Sequence, residues 1–219
     1  MYLNKFSPFL LILFLFSLST TSFKIYAQEN IQKSNFKTLS RPEKIWATCH
    51  IFIASKAYNI TKESLQVTDS IFATKIIGQD KHGGQMDAFK HAYWMASLSQ
   101  QFKWRKVYKL GKAHEKGNYI TFKKGLKKGK EDLPDKRSSD MDLWNNDVGI
   151  KIGKENKEAS KLSLQQLIID AVLAGDLRII NKDSNGNFLD SKNQVIPIEQ
   201  LKGKWENDKC LLPSNEVNY

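Results

Sequence analysis

Three short stretches of this chain hold residues that are costly to bury and useful for chemistry. They are Asp87-Ala-Phe-Lys-His91-Ala-Tyr-Trp94, His114-Glu115 and Met141-Asp142-Leu-Trp-Asn145-Asn146. Each falls in a segment whose apolar spacing is helical, and in each the polar residues stack on one face. Buried polar groups must find partners. The fold must therefore bring these faces together, and the space between packed helices is where helical proteins keep metals and catalytic groups.

The rest of the chain supports a helical reading. Ser40-Arg-Pro-Glu43 is a capping-box start with Pro42 in the first turn. Ile45, Trp46, Cys49, Ile53, Ala57 and Ile60 then recur at helical spacing. Further helices are expected over Lys62–Ile77, Gln85–Phe102 and Arg105–Lys116. Residues 119 to 137, with Gly125, Gly129 and Pro134 among lysines, read as a mobile loop. Ser139-Asp-Met-Asp142 predicts the cap of a helix reaching Lys154, and Ser163 the cap of one from Leu164 to Ala174, stopped by Gly175. The short apolar runs Leu177–Ile180 and Gln194–Ile198 flank the turn-rich Asp183-Ser-Asn-Gly-Asn187 and predict a small hairpin. The expected fold is mainly α: a compact bundle of about six helices with a small C-terminal β-hairpin.

The N-terminal 27 residues read as a secretory signal peptide. Lys5 starts it, Phe9 to Leu18 is its apolar run, and Ile25-Tyr26-Ala27 offers cleavage before Gln28. Retention as an anchor is the alternative. The expectation is an exported protein, periplasmic, envelope-associated or secreted, with a single helical domain over residues 28–219. No later segment is apolar enough to span a bilayer. Two cysteines, Cys49 and Cys210, admit one disulfide or two free thiols.

Losing Lys5 and Lys24 with the leader lowers the formal charge from +11 to +9. Most of that charge is local: from Lys103 to Lys130 there are 11 Lys or Arg and one acid, Glu115. The run is either a solvated face or an attraction for an anionic partner, a polymer or a lipid surface.

Asp87, one turn before His91, can accept the ring N–H and leave the other nitrogen for a metal or a proton. Local pairing is the plainer alternative. His114 and Glu115 are adjacent and so point about 100° apart. No second histidine stands at i+4, where Asn118 sits, so the two-histidine zinc helix is excluded. Asp142, Asn145, Asn146 and Gly149 form one stripe on an otherwise apolar helix. Asp142 also stands where a capping-box acid would. Asp183 to Asn187 lacks the terminal glutamate of a calcium loop and reads as a turn.

In order and spacing, these three motifs resemble an uncharacterised family of exported bacterial helical domains, a domain of unknown function also similar to the tips of some polymorphic toxin proteins. The resemblance spans roughly Ile71 to Ile180. It implies that Asp87, His91, His114, Glu115, Asp142, Asn145 and Asn146 are signature positions. The family pattern places Arg where this chain has Lys90, and Lys cannot make the same two-pronged carboxylate contact.

Two function classes fit. The first is a metal-assisted hydrolase of an anionic, phosphodiester-type substrate. His91, His114 and Asp142 would hold one divalent metal, while Asp87, His91, Glu115, Asn145 and Asn146 take part in the chemistry. A metal-free variant uses His91 as general base. The second is a non-enzymatic secreted or envelope binding protein whose signature residues form a buried polar network.

Overall fold

The computed structural model describes residues 36–217 apart from Asp132. The expected leader and its cleavage site lie outside the described residues. The chain divides into Met1–Leu39 and Ser40–Tyr219. Of the first unit, the described part is a short helical turn at residues 36–38 and Leu39. The second is mainly helical with a small two-stranded antiparallel sheet near its C-terminus.

In chain order the second unit runs α1 (Arg41–Cys49), α2 (Ile51–Thr74), α3 (Gln85–Gln101), α4 (Trp104–Leu126), α5 (Lys136–Glu155), α6 (Lys161–Ala174), β1 (Arg178–Ile180), α7 (Ile198–Leu201) and β2 (Leu211–Pro213). The capping box at Ser40 and Glu43 forms as expected. The chain bends at His50, earlier than the apolar spacing suggests, and α2 then continues through Thr61. The Thr61 hydroxyl bonds back to the Ala57 carbonyl and accepts the Trp94 indole N–H, so that position stays helical. Nor does Gly117 end α4, which runs on to Leu126 and takes up the first part of the expected loop. Asp135, not Ser139, caps α5, and Ser160, not Ser163, caps α6. Gly175 closes α6 in the left-handed conformation, as expected.

The expected hairpin is replaced by a longer-range pairing. β1 pairs with β2 from the tail, Ile179 opposite Leu212, while Gln194–Ile198 contributes one isolated bridge, Val195 to Leu189. Asp183 makes the expected turn, its carboxylate accepting the backbone N–H of Asn185 and Asn187. Cys49 and Cys210 are free thiols. Among the described residues, no helix is long and apolar enough to cross a membrane.

The central helix is α3. Met86, Ala88, Phe89, Ala92, Met95, Ala96 and Leu98 on it are fully buried, as are the polar Gln85, His91 and Ser99, so the helix is buried nearly all round. Its core neighbours are Ile71 of α2, Leu164, Ile168 and Val172 of α6, and Leu177 and Ile179 around β1. Each such aliphatic side chain contributes roughly 1.5–3 kcal/mol by leaving water.

α5 lies against α3 at backbone distance. A Cβ at Gly149 would stand 2.2 Å from the Ala92 carbonyl oxygen, and one at Gly153 2.2 Å from that of Ala96. Two glycines four residues apart thus meet two alanines four residues apart, with the helices running in the same direction. Backbone atoms cannot yield as a flexible side chain can. Gly149→Ala and Gly153→Ala should each therefore lower unfolding stability by about 1–3 kcal/mol or more, read as a fall in the urea midpoint. An unchanged midpoint would refute this account of the crossing.

Candidate functional site

The crossing carries Asp142 up to the first turns of α3. His91 Nε2 stands 3.3 Å from Asp142 Oδ1 and 3.8 Å from Asp87 Oδ1. Asp87, His91 and Asp142 each offer one ligand atom, all within 4.8 Å of one another. His91 and Asp142 are buried and Asp87 nearly so. Asp142 Oδ1 and His91 Nδ1 have no hydrogen-bond partner. With Asp135 capping α5, Asp142 sits two turns inside the helix and has no capping role.

Asp87 is fixed from two sides. Gly83 N–H donates to Oδ2 at 2.8 Å, and Lys90 reaches Oδ1 at 2.5 Å. The Gly83 carbonyl in turn accepts from Ile180 N–H of β1. Gly83 has φ +93°, and a Cβ there would meet the Ile180 side chain at 2.8 Å, so the turn needs glycine.

Asn145 and Asn146 part company. The Asn145 carboxamide accepts Arg178 N–H at 2.8 Å and donates to Arg178 C=O at 2.9 Å. It ties α5 to β1: both polar atoms of this expected catalytic residue bond the Arg178 backbone. Asn146 is buried beside His91 with neither carboxamide atom in a hydrogen bond of good geometry. Room for it comes from Gly111 of α4, where a Cβ would stand 3.1 Å from Asn146 Nδ2.

His114, expected as a metal ligand, lies outside the three-residue ligand cluster. Its Nδ1 lies 2.8 Å from Glu43 Oε1, while Glu43 Oε2 accepts the Ser40 backbone N–H. One carboxylate thus caps α1 and holds a histidine on α4. Gly117 permits this, since a Cβ there would stand 2.5 Å from Ser40 Oγ. The His114 ring lies 6.2 Å from the His91 ring and edge-on to Trp94 at 5.3 Å. Glu115 is buried one step further round α4, with one oxygen held by Asn118 at 3.0 Å and the other unpartnered.

The charges follow from this packing. Burial, joined by the Lys90 charge, presses the His91 pKa down to about 3, so the ring is neutral at pH 7. Burial lifts Asp142 well above the ordinary carboxylate value, and the Glu115 and Asp87 charges add to it. Burial lifts Glu115 too. Burial also acts on Asp87, but Lys90, His91 and the Gly83 N–H outweigh it and hold that carboxyl low. A shared proton therefore goes to Asp142 in preference to Asp87.

Asp87 lines a cleft of about 600 Å³, with His82, Pro134, Ser138, Phe188 and Lys209 among its walls. Of the cluster, Asp87 alone reaches this cleft. The exposed lysines of α4 do not line it.

This arrangement lies almost wholly within residues 44–176, which match the family model described as Domain of unknown function (DUF6973). The chain belongs to that family. The match starts well before Ile71 and takes in most of α1, although Glu43 stands one residue outside it. No curated protein and no solved structure matches the chain. Glu43 is the site residue missed in the sequence, because its capping-box position already accounts for it.

The Glu43–His114 pair fixes a pH signature. Burial opposes the charged form of each, and the mutual bond outweighs it: Glu43 falls to about 2 from 4.5, and His114 rises above 6.5. The histidine's share of stability is complete below pH 6.5 and is lost as pH rises through its folded value. The glutamate's share is present above pH 4.5 and is lost as pH falls through about 2. The stability gap between the parent and Glu43→Gln should be widest between pH 4.5 and 6.5, and the His114 titration should move down in the variant by NMR. A gap independent of pH would contradict the pairing.

Proposed function

We propose that Asp87, His91 and Asp142 hold one divalent metal ion, and that the domain is a metal-assisted hydrolase acting on an anionic, phosphodiester-type substrate in the adjoining cleft. The observation that carries this is the convergence of one neutral imidazole and two carboxylates, of which Asp142 Oδ1 has no hydrogen-bond partner while Asp87 is held by Lys90 and the Gly83 N–H. An ion with bonds of about 2.0–2.2 Å holds its donors at most about 4.4 Å apart. The spacing here, within 4.8 Å, needs a closure of several tenths of an ångström. One nitrogen and two oxygens suit a first-row divalent ion.

The metal would polarise a scissile phosphoryl or acyl oxygen and lower the pKa of a bound water. Lys90 orients Asp87. With Nδ1 engaged by Glu43, His114 keeps Nε2 for holding or delivering a proton to the leaving group. Asn146, unpartnered beside His91, supplies a carboxamide for the substrate or its water. Lys204 on the cleft wall offers a cation to an anionic substrate; Lys209 is paired with Asp135 at 2.6 Å and Lys202 with Glu131, and Glu199 also lines the wall. We place this activity outside the cytoplasm on the strength of the leader-like N-terminus; export with a new N-terminus at Gln28 is the matching observation.

The Asn145 clamp favours the second reading, in which the signature residues only lock helices together. A finished structural network, however, leaves few buried atoms unsatisfied. Here Asp142 Oδ1, Glu115 Oε1 and both polar atoms of Asn146 all lack a hydrogen bond of good geometry, although Asn146 lies within reach of His91 and Ser139 within reach of Glu115.

The two readings separate on Asp142→Asn. The substitution keeps the shape and replaces a buried carboxyl, which holds its proton when no metal is bound, by a neutral amide, so without metal the variant should be about as stable as the parent. By calorimetry the parent, stripped with chelator, should bind one Mn²⁺ or Zn²⁺ per chain and gain thermal stability from it. Asp142→Asn and His91→Ala should lose that binding. A stripped parent that binds neither ion, with Asp142→Asn strongly destabilised, would leave the structural reading standing.

A further inference from the structure

We propose that the exposed face of α4, together with the bend between α1 and α2, is a docking surface for an anionic lipid bilayer. This surface is independent of the metal cluster and does not line its cleft.

The α4 face presents Lys109, Lys112, Lys116, Lys123 and Lys124 to solvent, with the exposed rings of Trp104, Tyr108 and Tyr119 among them. It carries no acid, since Glu115, the one acidic residue of the helix, is buried. Over 23 residues this makes a row of cations and aromatic rings about 35 Å long. Arg105 lies over the Trp104 ring, Lys112 over Tyr108 and Lys123 over Tyr119, at 5.3, 5.5 and 5.3 Å. Each ring is thus set beside a cation, which is the pairing of groups that occupies a bilayer's headgroup layer.

At the start of α4 the charge gives way to apolar surface. α1 runs back along α4: Ser40 packs at Gly117, and the Trp46 indole donates to the Lys106 carbonyl. The bend after α1 therefore falls beside the first turn of α4, and Lys56 of α2 bonds Gln101 there. Around this bend Phe52 is 100% exposed, Ile51 70% and Ile45 56%, and Trp104 in the first turn of α4 is 44% exposed. A polyanion strand would account for the lysines but would not call for Phe52 and Ile51 standing in water. An anionic bilayer accounts for both, because its headgroups attract the row and its acyl boundary accepts the apolar end.

The test is co-sedimentation of the full chain with vesicles of phosphatidylcholine, alone or mixed with phosphatidylglycerol, and in parallel with a single-stranded oligonucleotide. Comparing the two vesicle types removes any binding by the N-terminal apolar run that ignores charge. We expect a preference for phosphatidylglycerol of roughly tenfold or more that falls with added salt. The triple variant Lys109→Glu, Lys112→Glu, Lys116→Glu should abolish it, and Ile51→Ser with Phe52→Ser should weaken it severalfold. The control Lys151→Glu, Lys154→Glu, Lys157→Glu, made at exposed positions elsewhere, should retain most of it. All these positions are solvent-exposed, and an unchanged melting temperature confirms that each variant is folded. Equal binding to both vesicle types overturns the proposal, as does a triple variant that binds like the parent. Vesicle binding indifferent to Ile51 and Phe52, alongside tight oligonucleotide binding, overturns it in favour of a nucleic-acid surface.

Discussion

The contact on which the rest of this molecule depends is the one between Gly149 and Gly153 of α5 and Ala92 and Ala96 of α3. It is made by backbone on backbone. Side chains larger than hydrogen on α5 would push the helices apart, and His91 and Asp142 would no longer meet. One turn beyond the glycines the same α5 stripe carries Asn146, and a further turn on, Asp142. Close packing and the polar cluster are therefore two ends of one helix face. Gly111 and Gly117 repeat the device on α4, admitting Asn146 and the Ser40–Glu43 cap.

Inside this frame the electrostatics are unbalanced. Asp142, Glu115 and Asp87 are acids close enough to raise one another's cost of ionisation, and the histidine among them is held neutral by burial. Lys90 offsets one carboxylate by direct contact. A bound cation would offset the others and release the proton that Asp142 otherwise retains. A divalent ion thus answers the charge and the unpartnered Asp142 oxygen at once, which a purely structural network does not.

The helical class was legible in the sequence, and helical spacing put Asp87, His91 and Asp142 on definite faces, but the sequence pointed to His114 where the structure brings Asp87 beside His91 and Asp142. The helix ends were less so. Gly117 reads locally as a stop, yet it serves a tertiary contact with Ser40, and nothing within α4 signals that. The true partner of β1 lies about thirty residues away in the tail, beyond the reach of the turn signals around Asn185 and Gly186 that suggested a hairpin. Asn145 and Asn146 look equivalent as neighbours in sequence. Only the position of the Arg178 backbone assigns one to the scaffold and leaves the other beside His91. The role of Glu43 was hidden because a capping-box acid needs no second partner to be explained.

X-ray absorption at the metal edge, on protein reloaded with one equivalent of Zn²⁺ or Mn²⁺, tests the central claim most directly. One imidazole nitrogen among carboxylate oxygens, with the imidazole signal lost in His91→Ala and kept in His114→Ala, is the predicted result. An ion held by His114, or one with no imidazole in its shell, would contradict the site.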